Sequence, residues 1–132
     1  MTIRPFIVAL GGLAIGLTVI GGAVRAADTE LDMDLMQTIE DTNKSLASNI
    51  SMQDAAGSTA DAKELHALFG KVEAHFVAKG DAKDAVDLSR QSIDLADNIV
   101  KSVEAKDFGK AQESATTLSR TCRTCHTFYK KS

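Results

Sequence analysis

Two cysteines, one tyrosine and no tryptophan stand among 132 residues, and the single proline is Pro5. From Ala27 onward there is no proline at all, and the aromatics are only Phe69, Phe76, Phe108, Phe128 and Tyr129. Two cysteines are too few for a four-ligand structural zinc site of the usual kind, and His66 and His75 are remote from them in sequence. A basic excess is missing as well: 15 bases against 18 acids give a formal charge of −3, which argues against nucleic acid as a partner. Nothing after Ala26 reads as a strand run bounded by turns, and there is no repeat, low-complexity tract or second domain. Serines, histidines and acids are scattered, so a hydrolytic triad has no positional support and no enzyme is expected. A core so poor in large side chains suggests that a further group fills it; the plain reading is an Ala/Leu/Val-packed bundle with nothing inside.

The first 26 residues read as an address. Arg4 supplies a positive start, residues 6–24 are apolar and rich in Gly and Ala, and Val24-Arg25-Ala26 places small residues where a signal peptidase reads. The sequence therefore predicts a signal peptide over residues 1–26, cleaved after Ala26, and a periplasmic mature chain. The apolar run is long enough for an uncleaved membrane anchor, but the cleavage site favours removal and no stable membrane association afterwards. Residues 27–132 suit one domain, in which the loss of Arg4 and Arg25 leaves 13 bases against 18 acids and a formal charge of −5.

Apolar spacing sets the expected architecture. Over residues 30–50, Leu31, Leu35, Ile39, Leu46 and Ile50 share one stripe of a 3.6-residue helix. Residues 51–59 read as a loop ending in the N-cap residues Gly57-Ser58-Thr59. A second helix over residues 61–79 turns Leu65, Leu68, Phe69, Val72 and Phe76 inward, and Gly80 is its expected C-cap. Asp81 is expected to cap a third helix reaching about residue 106, with Ala85, Val86, Ile93, Ile99, Val100 and Val103 as a less clean inward face. A turn at residues 107–109 starts a fourth helix through Ala111, Ala115, Leu118, Cys122, Cys125 and Tyr129. Short connections make consecutive helices antiparallel, so the fold class is all-α, an up-down-up-down four-helix bundle.

The most informative stretch lies near the end of the fourth helix. Cys122-Arg123-Thr124-Cys125-His126 has the Cys-x-x-Cys-His form that attaches haem covalently. Two thiols must reach the two vinyl groups on one edge of the porphyrin, while the following imidazole ligates the iron. At i, i+3 and i+4 of a helix, the three side chains project from nearly one face. A redox dithiol of the thioredoxin type would open a helix within alternating strands and helices, whereas this motif closes one. A structural disulfide is the bland reading.

Bundle geometry limits what could approach the iron from the other side. Antiparallel packing brings to the motif the start of the first helix, the end of the second and the start of the third. Met36 qualifies, on the flank of its stripe and with a soft thioether; it ligates iron or, on the plainer reading, packs on the haem without bonding. His75 also qualifies by level but reads as a surface-edge histidine. His66 lies about two turns further away, Met52 sits at the opposite end, and Met33 is at the right level but well off the stripe.

In outline over residues 27–132, and specifically in its last helix, the chain resembles the class II cytochromes c, four-helix bundles with haem attached near the C-terminus. Cys122-Arg123-Thr124-Cys125-His126-Thr127-Phe128-Tyr129-Lys130-Lys131 looks like the family ending, with an aromatic three residues after the haem histidine and then basic residues. The resemblance implies that Lys130 lies close to His126. Matching Ile39, Leu46 and Ile50 puts Met36 at the position facing the vacant side of the iron, which implies the low-spin, Met/His-ligated branch. One departure is Asp32, where family members often carry an arginine four residues before that position. The resemblance also makes a homodimer through the first two helices a common arrangement.

The expectation is a periplasmic monohaem electron carrier with one haem c per chain, held by Cys122 and Cys125, with His126 proximal and Met36 distal, serving redox partner proteins. The alternative is a five-coordinate protein of the cytochrome c prime type that binds nitric oxide or carbon monoxide. A third reading is a haem-free helical protein with a Cys122–Cys125 disulfide.

Overall fold

The computed structural model describes residue 31 and residues 33–129. The expected signal peptide and its cleavage site, Asp32 and Lys130 lie outside the described residues. Four helices follow in order: α1 (Met33–Ser51), α2 (Ala55–Lys79), α3 (Lys83–Glu104) and α4 (Phe108–Tyr129). There is no strand among the described residues, and no described helix is long and apolar enough to cross a membrane. Each helix packs on two neighbours, α1 on α2, α2 on α3, α3 on α4 and α4 back on α1, which closes a four-helix bundle. The α2–α3 interface is the most extensive and the α1–α4 seam the thinnest.

The core confirms the stripes. Leu46, Leu65, Ile99 and Leu118, one from each helix, are fully buried, and Ile39, Ile50, Leu68, Phe69, Val72, Phe76 and Val103 are buried with them. Each such side chain contributes roughly 1.5–3 kcal/mol of transfer free energy. The uneven inward face of α3 has a physical cause: Ser89 and Ser92 are buried there, their hydroxyls donating to the Ala85 and Leu88 carbonyls at 2.7 and 2.9 Å.

Polar pairs set the register between helices. His66 Nδ1 meets Asp97 Oδ1 at 2.7 Å, and Arg90 Nε donates to Glu73 Oε1 at 2.6 Å. The second pair lies seven residues forward on α2 and seven back on α3, as antiparallel packing requires. Across the α1–α4 seam, Asn43 Nδ2 donates to Ser119 Oγ at 3.1 Å. At the far end of α1, Asn49 Nδ2 donates to Asp61 Oδ2 at 2.8 Å.

Three boundaries depart from the sequence reading. The first connection is only residues 52–54, and Gly57-Ser58-Thr59 lies inside α2. The cap is Asp54, whose carboxylate accepts the Gly57 N–H at 3.0 Å, while Ser58 is pulled into the core. The turn is tight because Gln53 takes a left-handed φ of 55°, its N–H donating to Ile50 O and that of Asp54 to Asn49 O. Asp81, in turn, does not cap α3: the helix starts at Lys83 behind buried Ala82, with no side-chain cap bond. At the other end α3 stops at Glu104, two residues short of the expected 106, in a turn like the first. Lys106 has φ 57°, Lys106 N–H donates to Val103 O and Asp107 N–H to Ser102 O. Asp107 then caps α4 through the Lys110 N–H at 3.0 Å. Gly80 ends α2 as expected, at φ 80° with its N–H on Phe76 O.

Candidate functional site

Cys122 and Cys125 continue the buried stripe of Ala111, Ala115 and Leu118 along the inner face of α4. Both are half-buried, free thiols packed against the core. Burial pushes the Cys122 thiol up to about 11, with Cys125 adding to it, and burial followed by the Asp84 carboxylate raises Cys125. Both thiols are therefore protonated at neutral pH. That is the reverse of the depressed thiol that a disulfide-exchange enzyme uses as its nucleophile. His126, one residue on, is exposed at the flank of the same face.

The seam register locates what stands opposite. Counting seven residues from Asn43 back along α1 gives Met36, and seven from Ser119 forward along α4 gives His126. Seven residues are nearly two full turns, so each keeps the facing of its seam residue at a distance of about 10 Å along the axis. Met36 and His126 thus share one level and both face the α1–α4 seam. Met36 is half-buried against the core, whereas Met33 is 82% exposed and Met52 is 66% exposed. His75 is half-buried at the edge of α2, its ring edge-on to Phe76 with centroids 5.1 Å apart. His66 is engaged with Asp97 further along the bundle.

At the motif's level Ala82, just before α3, and Ala85 and Ser89 within it are small buried groups, whereas Ile99 and Val103 fill the other end. Phe76 of α2 closes this end from the opposite corner, its ring 5.1 Å from that of Tyr129 and tilted by 55°. Small buried side chains at this level are compatible with a large flat group held from α4. The donor chemistry suits haem in particular: two thiols for its vinyl groups, an imidazole for its iron and a thioether across the seam.

Sequence reasoning missed one contact of this site. The Tyr129 hydroxyl donates to Asp84 Oδ1, tying the last turn of α4 to the first turn of α3. Asp84 is recognisable as an acid in the first turn of a helix, but its pairing with a residue 45 positions away depends on the α3–α4 register. The shallow depression lined by Gln112, Glu113, Thr116, Thr117 and Arg120 lies on the outer side of α4 and is separate from the motif. No family model, curated protein or solved structure matches this chain.

Proposed function

We propose that this chain is a monohaem c-type cytochrome that carries electrons in the periplasm. The observation that supports the reading is the register of the Asn43–Ser119 bond, from which Met36 of α1 and His126 of α4, the latter beside Cys122 and Cys125, each lie seven residues along toward the same end of the bundle. Bound haem would supply one-electron chemistry at its iron. Cys122 and Cys125 would hold the group through their sulfurs, the His126 imidazole and the Met36 thioether would offer donors to its iron, and the buried Phe76, Ala82 and Ala85 would help to keep water from it. With His126 and Met36 both engaged, the iron would have no place open to a substrate. Its work is to keep the group dry, set its potential and present an edge to partner proteins. The acidic surface selects partners with basic patches, in a salt-dependent way.

The test is the optical spectrum and intact mass of the exported protein. Expected are a mass increased by one haem, sharp reduced α and β bands unmoved by carbon monoxide, and a weak near-infrared sulfur-to-iron band in the oxidised form. Broad bands shifted by the gas would replace the carrier with a five-coordinate gas-binding protein. A mass without haem and no Soret band would sink both.

A further inference from the structure

Along residues 120–129, the threonines turn their hydroxyls back on their own helix. Thr121, Thr124 and Thr127 donate to the Thr117, Arg120 and Arg123 carbonyls at 3.1, 3.0 and 3.0 Å. They therefore tie α4 to nothing else. Among the described residues no ion pair involves residues 111–129. The seam to α1 is the thinnest interface of the bundle, and its Asn43–Ser119 bond lies two turns away from His126. Among the described residues, the polar tie from the motif's own end of α4 to another helix is Tyr129 to Asp84.

Both partners are themselves held. Asp84 sits in the first turn of α3, where its Oδ1 also accepts the Ala85 N–H at 3.1 Å. The Tyr129 ring leans on Phe76 of α2, so one side chain meets both α3 and α2. Tyr129 is four residues after Cys125 and three after His126, hence their neighbour along the helix surface.

We propose that Asp84 is a positioning residue for the turn bearing Cys125 and His126: through the Tyr129 hydroxyl it pins the end of α4 to the start of α3. The importance of that turn rests on the haem-attachment reading; the anchor itself does not. A thiol and an imidazole that must address one rigid ring need a fixed turn, and a carboxylate on a neighbouring helix supplies it.

The experiment uses the full chain without haem, reduced, and follows alkylation of Cys125 by a maleimide beside helix content by circular dichroism. Asp84→Ala and Tyr129→Phe should each speed labelling severalfold, with no further gain in the double variant. Asp84→Asn, which keeps an acceptor oxygen, should restore much of the protection. Asp87→Asn removes the same charge one turn on, where Asp87 holds Lys83, and should leave the rate unchanged. Equal rates in wild type, Asp84→Ala and Tyr129→Phe would overturn the anchor, as would acceleration by Asp87→Asn as large as by Asp84→Ala. Should the haem-free chain prove unfolded, hydrogen exchange of the haem-loaded protein decides. Faster exchange confined to residues 122–129 supports the anchor, and uniform change over all four helices overturns it. Absence of covalent haem from the exported protein would sink the functional reading and leave the labelling result standing.

Discussion

Met36 and His126 stand at equal distances from a single hydrogen bond, each seven residues beyond the Asn43–Ser119 pair that joins α1 to α4. The pair acts as a fiducial mark: it sets Met36 of α1 and His126 of α4 at one level, along the seam with the least packing to hold it.

Loss of that mark should therefore be felt at two levels. Asn43→Ala should lower stability by about 1 kcal/mol, the usual net worth of a half-buried neutral hydrogen bond, in a denaturant titration with unchanged m. On the proposed function, it should also weaken the sixth ligand and speed carbon monoxide binding to the reduced protein. Met36→Ala should go further and convert the spectrum to high spin. A low-spin spectrum unchanged in Met36→Ala would reject Met36 as a ligand.

The chain's single tyrosine makes the α3–α4 contact directly observable. The hydrogen bond to Asp84 pushes the Tyr129 hydroxyl up to about 12, with burial adding to it, and the same bond draws Asp84 below the ordinary carboxylate range. The signs run opposite ways. A tyrosine with a raised folded-state pKa favours folding below its unfolded value of about 10 and loses that contribution as pH rises through about 12. The depressed Asp84 favours folding above its unfolded value and loses that contribution as pH falls through its folded one. Ultraviolet titration of the haem-free chain should show one tyrosinate transition near 12, falling toward about 10 in Asp84→Asn. A wild-type midpoint near 10 would deny the contact.

The inward faces of α1 and α2 are legible in the sequence because large apolar side chains recur at helical spacing, from Ile39 to Ile50 and from Leu65 to Phe76. The fourfold arrangement follows from that spacing and the short connections. The boundary at residues 52–59 is less legible, because Gly57-Ser58-Thr59 has the composition of a cap while the bond that decides the matter belongs to Asp54. The left-handed turns at Gln53 and Lys106 carry no glycine to announce them. The candidates Cys122, Cys125 and His126 are picked out by their spacing, and Met36 by its level in the bundle on the flank of a stripe. Asp84 does not, since nothing local distinguishes it from Asp81 or Asp87 until α3 and α4 are in register.

Two glycines of α2 should respond to alanine in opposite ways. Gly70 is in mid-helix, and a Cβ there would meet nothing within 4 Å, so Gly70→Ala should stabilise by about 0.5–1 kcal/mol through the entropy of the unfolded chain. At Gly57 a Cβ would lie 2.7 Å from Asn49 Nδ2 and from Asp54 Oδ2. Gly57→Ala must displace the Asn49 side chain that reaches Asp61 and the Asp54 cap together, and should cost about 1–2 kcal/mol. Thermal melts of the two variants should move apart from wild type; movement in the same direction would contradict the packing described around Asn49.

The turns at the end of the bundle away from the motif offer the reverse substitution. Gln53 and Lys106 hold φ values of 55° and 57°, where a side chain crowds the following carbonyl at a cost of about 1–2 kcal/mol. Each nevertheless stays, because its N–H and that of the next residue close the end of the preceding helix, and that next residue, Asp54 or Asp107, caps the following one. Glycine would keep both hydrogen bonds and remove the crowding, at the expense of a more flexible unfolded chain. The balance favours the substitution by roughly 0.5–1 kcal/mol at each site. Gly80 supplies the matched control, since its φ of 80° is accompanied by no atom within 4 Å of a would-be Cβ. Gly80→Ala should therefore lose about 1 kcal/mol from backbone strain alone. Gln53→Gly and Lys106→Gly lie in separate turns and should add within about 0.5 kcal/mol in the double variant. Denaturant titrations would check all four proteins. A gain at 53 and 106 with a loss at 80 confirms left-handed caps at all three connections, whereas a loss at 53 or 106 means that the side chain there contributes more than the strain it brings.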